Sequence, residues 1–327
     1  MKTDFSAIEA AIRRDPGRRG LLGATGGQLG LGDLEAAARS LAATGRHAVI
    51  ATGFYIPLAE PSAAETDGPP GAVALAATLQ RLGIEVTLVT DRFCIQALRA
   101  AAIAADLHAE TVLALAGPEE LPRLLNEARP KVSHLIAIER VGPGYTTDLI
   151  RTRFGDAAAE QFGRLTPIEL QARCLNMRGM PIEEWTVDFS AAFESPGPGV
   201  TTIGLGDGGN EIGLGKFSWP DLVARLDGVA DARILCRIAA DHAIIGGTSN
   251  WAAYGLAAAT AAAAGATAAF GDVTPDSQRR VLEAMVQGGP AVDGVTRRFE
   301  PTVDGLPLLT FLQPLHAIRN RLGLERT

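Results

Sequence analysis

Asp207, Asn210 and Glu211 place two carboxylates and an amide on one glycine-rich turn, inside Thr201–Lys216 (TTIGLGDGGNEIGLGK). Carboxylates in that setting suit proton transfer or the binding of a hard cation. The run TTIGL reads as a buried strand, GDGGNE as a tight polar turn, and the apolar residues after it as the first turn of a helix. Five glycines between Gly204 and Gly213 permit positive φ and a close approach of ligand to backbone, so Gly208 and Gly209 are candidate contacts. A glycine turn capped by Asp and Asn is the purely structural alternative.

Two phosphate-binding motifs fail on this stretch. Gly204–Gly209 formally fits G-x-G-x-x-G, but Asp207 would put negative charge where a pyrophosphate lies. No strand-ending acid follows about twenty residues later, since Asp227 and Asp231 fall in polar connections. Before Gly215-Lys216 the glycine of a P-loop is replaced by Asn210, and Phe217 stands where Ser or Thr is needed. No nucleotide cofactor is expected.

These residues need a frame to hold them. His47–Phe54, Glu85–Asp91, Thr111–Ala116 and His134–Arg140 are short apolar runs suited to strands buried on both faces. Helical patterns over Ala72–Leu82, Phe93–Ala104 and Glu119–Ala128 fall between them. The alternation predicts an α/β fold over residues 1–327: a single domain with a doubly wound, mostly parallel sheet and helices on both faces. The rhythm breaks over Gly142–Gly199, which reads as an insertion over the sheet edge, a cap or lid. It resumes at Thr201–Leu214, with Ile234–Ile238 and His242–Ile245 as further strands. Other helices are expected over Met1–Arg14, Asp33–Thr44, Ala252–Ala264, Thr274–Gln287 and Leu315–Leu322. The glycine-rich stretch Arg18–Leu31 reads as a connector, with a ligand-facing loop as the alternative.

Open parallel sheets bind ligands beyond the carboxyl ends of their strands. Thr52-Gly53, Asp67, Asp91, Glu139-Arg140 and Asp207–Glu211 fall there, and Asp241-His242 and Ser249-Asn250 are candidates to join them. The topology gathers them at one rim, a cleft with several carboxylates and three cations, Arg140, Arg178 and Lys216. Each has a structural alternative. Asp91 also reads as a helix cap, Glu139-Arg140 as an ion pair, and Glu65 with Asp67 as fasteners of a Pro-rich turn. Asn176 and Arg178 also read as pins of the insertion, and His242 as a core histidine. Ser249 lacks a nucleophile-elbow context, which excludes a serine hydrolase.

At 327 residues and 47% hydrophobic, the chain can bury a substantial core. A net charge of −7 without any Lys/Arg block gives no electrostatic footprint for nucleic acid. Cys94, Cys174 and Cys236 are odd in number and widely spaced, as in a reducing compartment. No signal-peptide pattern opens the sequence, and its longest apolar run, Trp251–Gly265, falls short of the ~18 residues of a membrane span. A cytoplasmic protein acting on a small molecule, off the membrane, is expected. The alanine-rich helix Trp251–Ala264 leaves a homo-oligomer interface open.

Taken together, several motifs resemble one family. TGFYIP (Thr52–Pro57), ETDGPPGA (Glu65–Ala72), VTLVTD (Val86–Asp91), IERVGPG (Ile138–Gly144) and NMRG (Asn176–Gly179) are similar to the D-glutamate cyclase-like C-terminal family. So are GDGGNEIGLGK (Gly206–Lys216) and ADHAIIGGTSNWAAYGL (Ala240–Leu256), and the likeness spans Gly20 to Gly265. The resemblance implies cyclisation of D-glutamate to 5-oxo-D-proline with loss of water, in some members with a divalent manganese or magnesium ion. Vertebrate members carry a further N-terminal module that has no counterpart in this sequence.

The roles follow from the chemistry. The α-amine must be neutral to attack, so a carboxylate base stands beside it. The γ-carboxyl becomes electrophilic through a proton or a metal, and the α-carboxylate suits a bidentate arginine. Asp207 or Glu211 is then the candidate base, Glu139 or Asp67 the acid, and Arg140 or Arg178 the partner of the α-carboxylate. The Gly208 and Gly209 amides are candidate oxyanion donors. Thr52, Gly53, Asn176, Asn210, Ser249 and Asn250 complete the substrate-binding candidates. In a metal-dependent version, Asp67, Asp207 and Glu211 are the ligands. Two other classes stay open: a non-catalytic amino-acid or nucleotide sensor, and a metal-assisted hydrolase of a small substrate.

Overall fold

The computed structural model describes residues 4–23, 29–226 and 231–325; Asp227 and residues 24–28 of the Arg18–Leu31 loop lie outside the described residues. The strands are β1 (His47–Thr52), β2 (Tyr55–Ile56), β3 (Ala63–Glu65), β4 (Glu85–Asp91), β5 (Val112–Leu115), β6 (His134–Ile138), β7 (Thr201–Gly206), β8 (His242–Ile245) and β9 (Ala291–Val292). Six form one parallel sheet in the order β5-β4-β1-β6-β7-β8. The other three make a small mixed sheet, β2-β3-β9.

Every residue of β1 is buried, because both faces of the sheet are covered. Ala48 and Ile50 point into the larger core, which is filled from helices that include Asp33–Thr44, Pro69–Arg81, Ile95–Ala104 and Ser249–Ala263. Val49 and Ala51 point the other way, against helix Glu120–Glu127, the short helix Ser190–Glu194 and the irregular chain around Ile212 and Ile238. The sheet is doubly wound, and its two covers are unequal.

Two expected elements are absent, for identifiable reasons. No helix follows GDGGNE. Glu211 bridges Val141, and Gly213 and Leu214 bridge Ala239, so the chain lies extended across β7. A Cβ on Gly204 would sit 2.5 Å from the Cα of Gly213, and Gly213 has φ +109°, so the close crossing requires both glycines. Ile234–Ile238 is buried but forms no strand. Cys236 N–H donates to Gly209 O and Arg237 N–H to Pro143 O, which ties this segment to the glycine turn and the insertion instead of a sheet edge.

Residues 142–199 carry helices Thr147–Phe154 and Asp156–Leu165 before returning to β7. Their anchor is Arg140, which is fully buried. It pairs with Asp91 at 2.8 Å, donates to Gly53 O at 2.9 Å and Val187 O at 2.6 Å, and stacks on Phe189. Helix Ser249–Ala263 is buried from Ser249 to Ala261 and belongs to the core. Among the described residues no helix is long and apolar enough to cross a membrane.

Removing one partner of a buried pair strands the other's charge. Arg140→Ala should therefore cost about 3–5 kcal/mol in urea unfolding. A loss below about 1 kcal/mol, the scale of an exposed pair, would contradict this account of the anchor.

Candidate active site

The strand order reverses direction between β1 and β6, the place where open sheets leave a crevice at their carboxyl ends. Glu139 stands just past β6 with φ +48°, a left-handed conformation that a glutamate adopts at a cost. Gly68 faces it so closely that a Cβ there would lie 2.8 Å from both Glu139 Cβ and Thr52 Oγ1. Ser249 Oγ donates to Glu139 Oε2 at 2.5 Å.

Asp67 reaches the same place from β3. Its Oδ1 accepts from Gly68 N–H and Asn250 N–H, and its Oδ2 from Ser249 N–H, at 2.9–3.0 Å. Asp67 thus takes the first free N–H groups of helix Ser249–Ala263, where the helix field also favours an anion. Asn250 completes the lock: its Oδ1 accepts from Gly68 and Gly71, and its Nδ2 donates to Thr66 O. The N-termini of two helices are joined across this pair.

Asp207 follows β7. Glu211 curls back over the turn and accepts from the N–H groups of Asp207, Gly208 and Gly209 at 2.7–3.0 Å. The Gly208 and Gly209 amides therefore face Glu211 and are not free to hold an oxyanion. Glu211 has both oxygens engaged by its own loop, as Asp67 has by its N–H donors, and so shapes the turn. Asp207 Oδ1 pairs with Arg19, while Oδ2 is buried and finds no hydrogen-bond partner among the described residues.

Arg19 also pairs with Asp304 at 2.8 Å, and its loop is set by Asp15, which accepts from Arg19 N–H and Gly20 N–H. Asp304 lies on a loop organised by the fully buried Asp293. That carboxylate accepts from Val295 N–H, Thr296 N–H, Thr302 Oγ1 and Gly305 N–H. Asp304 Oδ2, like Asp207 Oδ2, finds no partner among the described residues.

A cavity of about 200 Å³ opens among these groups, with Glu65, Glu139, Asp207 and Asp304 as its acids and Arg19, Arg178 and Arg297 as its cations. Oxygens of Asp67, Asp207 and Asp304 lie within 4.8 Å of one another, and so do those of Glu139, Asp207 and Glu211. A larger hollow, about 450 Å³, lies between helices Pro69–Arg81, Ile95–Ala104 and Pro275–Gly288 and contains none of these residues.

Burial pushes the Glu139 carboxyl well above the usual range, and the charges of Glu211, Asp67 and Glu65 push it further. Glu65 is raised by burial and then by Asp304 and Asp67. Asp207 is raised by burial, with Arg19 opposing. Asp67 reaches about 7, where burial and Asp304 outweigh its N–H donors and Arg19. For Arg19, burial works against the charge, and Asp207 and Asp304 overcome it, so its proton is held more tightly than usual.

The remaining candidates are dispersed around this centre. Asn176 and Arg178 line the cavity, and Asn176 Oδ1 accepts from Arg178 N–H and Met180 N–H, so the asparagine also shapes the insertion. Arg140 is committed to Asp91, Gly53 and Val187, so it cannot bind a substrate carboxylate. Lys216 pairs with Asp33 and donates to Asp241 O, away from the cavity. Asn210 donates to Leu175 O, Gly53 accepts from Arg140, and Thr52 packs under Gly68. Arg19, Arg297 and Asp304 went unread in the sequence. Arg19 sat in a glycine-rich connector, and Asp304-Gly305 has the form of an ordinary turn.

Residues 8–153 and 168–319 match the model of the D-glutamate cyclase-like, C-terminal family, and the chain belongs to that family. The human protein "D-glutamate cyclase, mitochondrial" is 32% identical over 259 residues, 77% of this chain and 38% of the relative. The chain thus spans well under half of that relative's length.

Glu65, Asp67, Glu139 and Asp207 hold protons more tightly in the folded than in the unfolded chain. Above the unfolded carboxylate range near ~4, the folded protein binds more protons, so stability falls as pH rises toward about 7, the Asp67 value. The slope is about 1.4 kcal/mol per pH unit for each carboxyl titrating in that window. The thermal midpoint should drop between about pH 5 and about pH 7, and Glu139→Gln should shrink the drop. A midpoint that rises over this range would contradict the assignment.

Proposed function

We propose that this cavity closes D-glutamate to 5-oxo-D-proline with loss of water. What supports the reading is a buried group of carboxyls with unlike surroundings, next to arginines that line the same space, in a chain of the D-glutamate cyclase-like family. Asp207 presents a buried, unpartnered oxygen and has Arg19 at its other oxygen, which suits it to take a proton from the α-ammonium. Glu139, with its raised proton affinity, gives a proton to the γ-carboxyl and then to the departing hydroxyl. Arg178 meets the α-carboxylate. The amine nitrogen attacks the γ-carbon, the C–N bond forms and the C–O bond breaks. The two protons shed by the amine are the two gained by the departing oxygen, so the acid cluster ends as it began.

Holding the two ends of one molecule together supplies much of the rate, since well-oriented intramolecular attack offsets about 7–11 kcal/mol of barrier. The donor set also fits a hard divalent cation. Asp67, Asp207 and Asp304 offer only oxygens, two of them unpartnered, and would hold manganese or magnesium. Such an ion would act as a Lewis acid on the γ-carboxyl. A cytoplasmic location belongs to the same reading, supported by three free and buried cysteines, and cell fractionation tests it.

The purified chain should form 5-oxo-D-proline from D-glutamate, assayed with and without manganese. Asp207→Asn should lower kcat about 10²-fold or more while the fold is kept. Ligand-induced melting shifts without product would favour a sensor. An unchanged kcat in Asp207→Asn would remove the assigned base.

A further inference from the structure

The cavity is graded from end to end. Its inner wall carries Asp207, Glu139 and Glu65, which are 4%, 7% and 8% exposed, while its mouth carries Leu58, Met177 and Val295 at 42%, 40% and 54%. Neither end is explained by glutamate alone. A γ-carboxylate is a poor electrophile and must gain a proton before it can be attacked. A γ-amide enters already neutral, with a carbonyl that accepts a hydrogen bond from a protonated carboxyl. The apolar mouth, in turn, has nothing to pack against on glutamate, which carries no substituent beyond its γ-carboxyl. These three apolar side chains, set beside Arg178 and Arg297 in the lining of one cavity, offer contact to an apolar group.

We propose that the site also cyclises γ-amides of D-glutamate, expelling ammonia or an amine whose substituent lies between Leu58, Met177 and Val295. This rests on the cyclisation reading for its nucleophile and its proton route. The α-amine nitrogen bonds to the γ-carbonyl carbon, and the bond from that carbon to the amide nitrogen breaks. Of the two protons shed by the α-ammonium and relayed through Asp207 and Glu139, one leaves on the departing nitrogen, and the second joins it when the product is ammonia or an alkylamine and passes to solvent when it is a neutral arylamine. Charge and atoms balance with no co-reactant. Glu139 serves an amine leaving group at least as well as a hydroxyl, because an expelled amide nitrogen needs a proton to depart.

The test uses the full chain with D-glutamate, D-glutamine and γ-D-glutamyl-p-nitroanilide, following 5-oxo-D-proline and, for the anilide, p-nitroaniline. The anilide should release both products in equal amounts, with kcat/KM at least about tenfold above that of D-glutamate. Leu58→Asp and Val295→Asp should each lower kcat/KM for the anilide about tenfold more than they lower it for D-glutamine, with an unchanged thermal midpoint certifying their fold. Cyclisation of D-glutamate with both amides left intact would overturn this proposal and leave the cyclase reading standing. Cyclisation of the amides alone would sustain it and remove D-glutamate as the substrate. No product from any of the three would remove both. Aspartate variants with undiminished anilide turnover would overturn the mouth as the leaving-group site.

Discussion

One largely buried guanidinium stands among more carboxyls than it can neutralise. Arg19 pairs with Asp207 and Asp304, while Glu65, Asp67, Glu139 and Glu211 crowd the same centre. Isolated charges cannot be held in a dry interior at any tolerable cost, so each carboxyl must find its own compensation. Asp67 and Glu211 take backbone N–H groups, three apiece. Asp207 and Asp304 share the arginine. Among the described residues Glu139 receives a serine hydroxyl alone, and burial raises its hold on a proton. Unequal compensation of like groups is how a single cavity comes to hold an acid beside a base.

The scaffold exists to make that crowding possible. Parallel strands β6 and β7 deliver Glu139 and Asp207 to adjacent positions at the sheet's carboxyl edge. Helix Ser249–Ala263 aims its N-terminus at the same point and so tolerates Asp67 there. The small sheet holds the Asp67 strand in register with β9, so the loop after β9 can bring Asp304 in from the far end of the chain. Thr66 Oγ1 donates to Thr302 O at 2.7 Å and fixes that approach. The left-handed Glu139 and the glycine opposite it are the strained parts of the assembly, and both sit where carboxyl and helix meet.

Much of this was legible in the residues. Uninterrupted apolar runs such as HAVIAT and EVTLVTD marked the buried parallel strands, and the strand-end rule brought Glu139 and Asp207 to one cavity, with an oxygen of Asp67 within 4.8 Å of one of Asp207. What failed did so for physical reasons. A glycine-rich turn before apolar residues reads as a helix start, yet here Gly204 and Gly213 let one backbone cross another. Glu139 and Arg140 are neighbours in sequence but face opposite environments, one the cavity and one the buried anchor to Asp91. Arg19 and Asp304 come from opposite ends of the chain and lie in loops, where neither periodicity nor motif carries a signal.

The proposed chemistry depends on a carboxyl inside this cluster that holds its proton more tightly than a free glutamate does. Carbon-13 labelling of glutamate side chains, with the Glu139 resonance assigned by Glu139→Gln, would follow that proton directly through a pH titration. The expected result is a Glu139 carboxyl midpoint displaced upward from the ordinary glutamate midpoint near ~4.3. A Glu139 midpoint at or below that ordinary value would contradict the assignment.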